Sequence, residues 1–280
     1  MASLYLDHSI VTHPASWKPV EDVLTGGEVR LALSLWNLFE IGSASDKAQQ
    51  DQRLAFLMKF SPLWLLERVQ IQRHEVRDFL WKEKLQIETE PVEAFRHHLS
   101  EVESYMVGSQ TRIGVTPRQW IDSVDFRGFD PSKQLAPTAL RQLQTLGPKK
   151  IAERQDEIFE KWIEGLLPTR LPDGSACSKA DLSDFSKFCL DNQAALYGAC
   201  PAMAVENVMT RARTATAARN PQNSDGIDLM HAVVALAYCD YFLVRDGFVF
   251  QCCENARKDL SGRKLAAVFR DAEELKKALA

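Results

Sequence analysis

The fold prediction rests on the stretch from Asp228 to Asp246, DLMHAVVALAYCDYFLVRD, near the end of the chain. Apolar residues continue over a helical length, and Tyr241 to Val244 form an apolar run of strand length. We therefore predict a largely buried helix over 225–237 and a strand over 241–244. A helix that leads into a buried strand is the repeating unit of a parallel α/β sheet.

The amino terminus has the same alternation. Residues 4–6 are apolar and predict a first strand, which ends at Asp7. Residues 29–34 predict a second strand, and a helix that begins near Trp36 carries Glu40. Strand–helix alternation at this end therefore matches that at the other end.

The middle of the chain has a different pattern. Residues 46–107 have apolar positions three, four and seven apart, for example Leu65, Val69 and Val76, which predicts helices. Residues 108–148 are rich in Gly, Pro, Thr, Ser and Gln and predict a loop-rich connection with short helices. The middle is therefore predicted to be mainly helical.

The carboxyl-terminal part continues the alternation beyond Asp246. We predict, in order, a helix over 248–259, a strand over 264–269 and a helix over 272–279. The whole pattern predicts an α/β fold in which residues 1–60 and 220–280 form one parallel-sheet domain. Residues 61–219 are then a mainly helical insertion.

Composition indicates a globular protein. Of the 280 residues, 45% are hydrophobic and 26% are charged. The start has no basic leader, and no segment reaches the roughly 18 apolar residues of a membrane span, so we expect a cytoplasmic protein with no membrane partner. The six cysteines form no CxxC pair, and we expect reduced thiols and no zinc site.

The net charge of −4 argues against a protein that coats nucleic acid through a broad basic surface. It leaves room for a local basic strip beside an acidic site. A nuclease built on carboxylates must carry negative charge at its centre.

Four carboxylates are predicted to meet at one edge of the sheet. In an open parallel sheet the functional crevice lies outside the carboxyl ends of the strands. Asp7 and Asp246 follow two of the strands, and Glu40 lies within two turns of the helix after the second strand. Asp228 is in the first turn of a helix that runs antiparallel to the strands, so it begins near the same edge.

Such a cluster is suited to Mg²⁺ or Mn²⁺, which prefer oxygen ligands. Grouped carboxylates repel one another unless a cation neutralises them, and a metal ion can activate water and offset charge on a phosphate. Each acid alone also has a purely structural interpretation, so the prediction depends on their joint placement. Asp240 should lie at the opposite edge, because about six residues of extended chain span roughly 20 Å.

Three stretches resemble PIN domains. Leu4-Tyr5-Leu6-Asp7 resembles their opening strand, and Leu31-Ala32-Leu33-Ser34 with Phe39-Glu40-Ile41 resembles their second strand and acid-bearing helix. Asp228-Leu229-Met230-His231, followed by the strand that leads to Asp246, resembles their carboxyl-terminal signature. The resemblance implies a metal-dependent ribonuclease fold, often found in toxin–antitoxin pairs and in RNA processing.

The sequence departs from the family pattern at three places. Ser9 stands where the family often has asparagine, and Val244 stands where a serine or threonine usually supports the last acid. The long helical middle is not part of a minimal PIN domain. The Val244 difference removes a hydroxyl group but leaves the four acids intact.

The leading hypothesis is a Mg²⁺- or Mn²⁺-dependent ribonuclease with Asp7, Glu40, Asp228 and Asp246 as catalytic metal ligands. Its helical middle would shape the RNA channel or bind a protein partner. The alternative is a PIN-like scaffold without turnover that binds a protein or RNA. A nuclease that acts on DNA flaps ranks last, because the sequence has no evident helix–hairpin–helix glycine motif. His231, one turn beyond Asp228, is interpreted as a core or surface histidine of its helix, and the alternative is that it orients Asp228 or contacts a phosphate.

Overall fold

A computed structural model describes residues 1–104, 111–112, 116–124, 148–215 and 225–279. Six strands form one sheet in the order β4-β3-β2-β1-β7-β8, and two further short strands pair separately as β5-β6. The strands are β1 (Ala2–Leu6), β2 (Val29–Leu33), β3 (Leu63–Leu65), β4 (Phe95–Arg96), β5 (Glu103–Ser104), β6 (Thr111–Arg112), β7 (Tyr241–Leu243) and β8 (Ala267–Phe269).

The sheet is parallel except at one edge, where β4 runs antiparallel to β3. At its centre β1 pairs with β7, with Leu4 opposite Tyr241 and Leu6 opposite Leu243. Strands from the beginning and the end of the chain are thus neighbours. The prediction of an α/β fold is confirmed, with a mostly parallel sheet of six strands.

Helices occupy most of the rest of the described chain. They are α1 (His8–Val11), α2 (Trp17–Thr25), α3 (Leu35–Ser43), α4 (Lys47–Met58), α5 (Arg68–Phe79), α6 (Pro117–Ser123), α7 (Pro148–Leu166), α8 (Lys179–Asp191), α9 (Gln193–Ala199), α10 (Pro201–Ala215), α11 (Asp225–Tyr238), α12 (Gly247–Asp259) and α13 (Ala272–Leu279). Within the described ranges, none of these helices has the length and apolar character needed to cross a lipid bilayer.

The sheet extends past residue 60, the predicted end of the amino-terminal part of the domain. The strand β3 pairs with β2 through Ala32 opposite Leu63, and β4 adds a further strand. The prediction that residues 46–107 are helical was wrong here. Strand β3 has only three residues, and its Leu65 lies four positions before Val69, which is a helical spacing. The apolar residues of β3 therefore matched the helical pattern of α5. Most of the predicted loop-rich connection over 108–148 lies outside the described residues.

The middle of the chain forms a second hydrophobic cluster. It joins the carboxyl-terminal half of α5 to α7, α8, α9 and the start of α10. Its fully or almost fully buried members are Val76, Phe79, Leu80, Trp81, Phe159, Ile163, Leu166, Leu167, Phe185, Cys189, Leu196, Cys200 and Met203. Burial of this apolar surface stabilises the packing of these helices against one another.

A buried carboxylate ties the helical middle to the sheet domain. Glu75 of α5 is 3% exposed. Its Oε1 accepts hydrogen bonds from the Ala202 N–H and the Tyr238 hydroxyl, both at 2.7 Å, and its Oε2 accepts from the Met203 N–H at 3.1 Å. The N–H groups of Ala202 and Met203 lie in the first turn of α10, where backbone N–H groups have no acceptor within the helix. Glu75 therefore caps α10 and also holds α11.

Burial raises the pKa of Glu75 to about 7 in spite of these three hydrogen bonds. Because the pKa in the folded protein exceeds the ordinary value of 4.5, the stability that this group contributes is fully present below about pH 4.5. It is lost as the pH rises to about 7. We expect the wild type to lose on the order of 3 kcal/mol relative to Glu75→Gln over this range.

Urea unfolding of both proteins at pH 4.5 and at pH 8 measures this difference. Glu164→Gln is the matched control, because Glu164 is exposed on α7. If the wild type and the Glu75→Gln protein change in stability by the same amount, the assignment of a raised pKa to Glu75 is contradicted.

Candidate metal centre

Asp7 lies at the carboxyl end of β1 and is 3% exposed. Its N–H donates to the Leu243 carbonyl at 2.9 Å, which continues the pairing of β1 with β7. Its Oδ2 accepts hydrogen bonds from the Ser9 N–H at 2.9 Å and from the Ser9 hydroxyl. The carboxylate is thus the N-cap of the short helix α1 and has a defined orientation.

Ser9 connects the ends of the two central strands. Its Oγ accepts a hydrogen bond from the Arg245 N–H at 3.1 Å and donates to Asp7. Asp246, the residue after Arg245, is exposed. It caps α12 by accepting hydrogen bonds from the N–H groups of Phe248 and Val249 at 2.8 and 2.9 Å. Asp7 and Asp246 therefore follow neighbouring strands at the same edge of the sheet.

Glu40 lies in the second turn of α3, and its side chain is 14% exposed. Burial is the main cause that raises the pKa of Glu40 to about 8. The neighbouring His8 lowers this pKa, and the negative charge of Asp7 raises it further. The charge of Asp7 therefore disfavours ionisation of Glu40, in addition to the larger effect of burial.

Two histidines lie next to Glu40. The Oε2 atom of Glu40 is 2.9 Å from Nε2 of His231 and 3.7 Å from Nδ1 of His8. Burial lowers the pKa of His231 to about 4 and also lowers that of His8, so both rings are neutral at pH 7. Neither histidine therefore carries a positive charge that would offset the charge of Glu40 when Glu40 is ionised.

These three atoms have no protein partner for a hydrogen bond among the described residues. Glu40 Oε2, His8 Nδ1 and His231 Nε2 are all inaccessible to solvent, and the angles between them are not those of hydrogen bonds. An unpaired buried polar atom costs roughly 1–3 kcal/mol.

Asp228 lies in the first turn of α11 and is partly buried. It precedes His231 by three residues, so both side chains share one side of the helix. Since His231 contacts Glu40, that side of α11 faces α3. Asp228 is thus on the side of α11 that carries the Glu40 contact.

Asp7 and Glu40 together are not a complete set of ligands for a cation. In the part of the chain that the structure describes, no three His, Cys, Asp or Glu side chains stand together as ligands of an ion. The negative charge of Asp7 acts on Glu40, and two such carboxyl groups fit a divalent cation held by oxygen. All four predicted ligands, Asp7, Glu40, Asp228 and Asp246, remain predictions.

Asp240 lies at the opposite edge, as its position in the sequence indicates. It accepts hydrogen bonds from the Ser3 N–H at 2.9 Å and the Ser3 hydroxyl at 3.0 Å. Lys264 Nζ is 2.9 Å from its other oxygen. This acid is therefore paired at the amino end of β1, far along the strand from Asp7.

Sequence reasoning did not identify the polar network beneath Glu40. His231 is 0% exposed and contacts both Tyr5 and Glu40, so it is a core histidine with a polar environment. The one available indication was a histidine inside an otherwise apolar helix that leads into a buried strand. Val244, the position that departs from the PIN pattern, is fully buried.

Comparison of the chain with protein-family models, with curated proteins and with solved structures found no match.

Ser9→Ala tests the connection between the two strand ends. The substitution removes one hydrogen bond to Asp7 and one from Arg245, and we expect the free energy of unfolding to fall by about 1–2 kcal/mol. Thermal or urea unfolding measures this change. Ser43→Ala is a matched control, because the exposed Ser43 hydroxyl bonds only to a carbonyl of its own helix. Equal effects of the two substitutions would contradict the role given to Ser9.

Proposed function

We propose that the chain is a Mg²⁺- or Mn²⁺-dependent ribonuclease with a PIN-like arrangement of its two ends. The observation that carries the proposal is the placement of Asp7 at the carboxyl end of β1, with the buried Glu40 near enough for the charge of Asp7 to act on it. An acid whose charge is disfavoured by burial and by a second acid is expected where a cation binds. The helical middle is proposed to border the RNA or to bind a protein partner.

Each of the chain's own groups has a distinct part in this proposal. Asp7, oriented by Ser9, and Glu40 provide the oxygen atoms for the ion, with Asp228 and Asp246 completing the set as RNA and ion bind. When bound, Mg²⁺ or Mn²⁺ makes water a stronger acid and offsets negative charge on a phosphate. No acid in the set needs to attract RNA by itself.

Basic side chains beside Asp246 support an anionic substrate. Arg245 ends the β7 segment and Arg270 follows β8, and both are exposed at the same edge of the sheet. Arg270 Nη2 donates to the Arg245 carbonyl at 3.3 Å, and its guanidinium lies over the Phe250 ring. Arginine side chains at such positions contact and position a nucleic-acid backbone.

The first test is cleavage of single-stranded RNA in the presence of Mn²⁺. We expect Asp7→Asn and Asp246→Asn to lower cleavage by about 10²-fold or more, since each removes a charge that holds the ion. Asparagine keeps the N-cap function at both positions, so both variants should remain folded. Asp240→Asn, at the opposite edge, is the matched control and should cleave RNA like the wild type.

Cleavage at wild-type rates by both Asp7→Asn and Asp246→Asn rules out the proposed mechanism. Equal losses in all three variants, including Asp240→Asn, would indicate damage to the fold instead of the loss of an ion site.

A second candidate function is a PIN-like scaffold that binds a protein or RNA without cutting it. Two observations favour it: Val244 is a buried apolar residue without a hydroxyl, and the described residues include no preformed group of three ion ligands. Calorimetry separates the two functions. We expect the ribonuclease to bind Mn²⁺ at millimolar concentration or below and Asp7→Asn to lose this binding, whereas a scaffold shows no binding in either protein.

A further inference from the structure

His231 is a polar residue in the centre of the core. Its side chain is 0% exposed, yet each ring nitrogen has a polar neighbour. Nδ1 makes a short hydrogen bond with the Tyr5 hydroxyl, and Nε2 lies 2.9 Å from Oε2 of Glu40. Burying a polar ring is costly unless its nitrogen atoms are paired, so this arrangement restricts the ring to one orientation.

Tyr5 is itself held by the segment that begins α3. Its hydroxyl lies 2.7 Å from the Ser34 hydroxyl, and the Ser34 N–H donates to Oδ1 of Asn37 at 2.8 Å. Asn37 in turn donates through Nδ2 to the Leu6 carbonyl at 3.0 Å. These bonds fix the start of α3 against β1.

The contacts form a closed ring. Ser34, at the start of α3, contacts Tyr5 of β1, and Tyr5 contacts His231 of α11. His231 in turn contacts Glu40, which is again in α3. Tyr5 and Asp7 are two residues apart on extended chain, so their side chains lie on the same face of the sheet. The ring therefore positions Glu40 relative to Asp7.

The hydrogen atoms of the ring can be arranged in a way that suits a Glu40 carboxylate. If Tyr5 donates to Nδ1 of His231, the proton of the neutral imidazole is on Nε2 and faces Oε2 of Glu40. A small rotation about the last torsion of Glu40, which is soft, turns the 2.9 Å contact into a hydrogen bond. The other carboxylate oxygen then makes no contact with His231 and is the one that we propose for the ion.

We propose that His231, held by Tyr5, is a positioning residue that orients the Glu40 carboxylate for a divalent cation without binding the cation itself. The inference rests on the proposed function, since it concerns the same ion. Groups that orient a metal ligand commonly contribute 10- to 100-fold to ion affinity.

The first experiment needs no metal ion. We expect ¹⁵N NMR of the ion-free wild type at about pH 9.5, where Glu40 is ionised, to show the proton of His231 on Nε2 and a bare Nδ1. A His231 ring with the proton on Nδ1 would overturn the proposal, because its Nε2 would then have no proton to donate to Glu40. This result stands whether or not the protein cleaves RNA.

The second experiment measures Mn²⁺ affinity by calorimetry. We expect Tyr5→Phe and His231→Phe to weaken binding by about tenfold or more. Tyr238→Phe is the matched control: it removes a hydroxyl group bonded to a different buried carboxylate, Glu75, and should leave Mn²⁺ affinity unchanged. If His231→Phe fails to fold, the smaller change Tyr5→Phe decides.

The outcomes separate this inference from the proposed function. A wild type that binds no Mn²⁺ contradicts the proposed function, and the NMR result still tests the role of His231. Unchanged affinity in Tyr5→Phe and His231→Phe overturns the positioning role. A ¹⁴N coupling from His231 in pulsed EPR of bound Mn²⁺ also overturns it, because His231 would then be a ligand.

Discussion

The structure depends on the parallel pairing of β1 with β7. Two hydrogen bonds, from Asp7 to Leu243 and from Arg245 to Ser9, join the two strand ends. In each bond the two residues are 236 positions apart in the sequence. Closing so long a loop has an entropic cost, although that cost grows only slowly with loop length. The fully buried side chains of Leu4, Leu6 and Phe242 at this junction offset it through apolar burial.

The same pairing creates the chemistry of the site. Parallel strands end at one edge, so the residues after β1 and β7 meet there whatever the length of the chain between them. Glu40 reaches this edge from α3, and α11 brings His231 against it from another side. The acids are therefore held by the backbone and by core packing.

The alternation of apolar runs was enough to predict the α/β class and the edge on which Asp7 and Asp246 lie. Periodicity failed at β3, since a strand of three residues cannot be told from the first turn of the helix that follows. Periodicity also gave no indication of the contacts that His231 and Glu75 make. Both are polar residues inside helical patterns, and their partners, Tyr5 and the first turn of α10, are distant in sequence.

We propose that Asp7 and Glu40 together hold a divalent cation. A crystal structure of the wild type grown with Mn²⁺, with data collected at the manganese absorption edge, tests it most directly. We expect an anomalous scattering peak within coordination distance of carboxylate oxygens of both residues. Crystals that contain Mn²⁺ at other positions but none between Asp7 and Glu40 would contradict it.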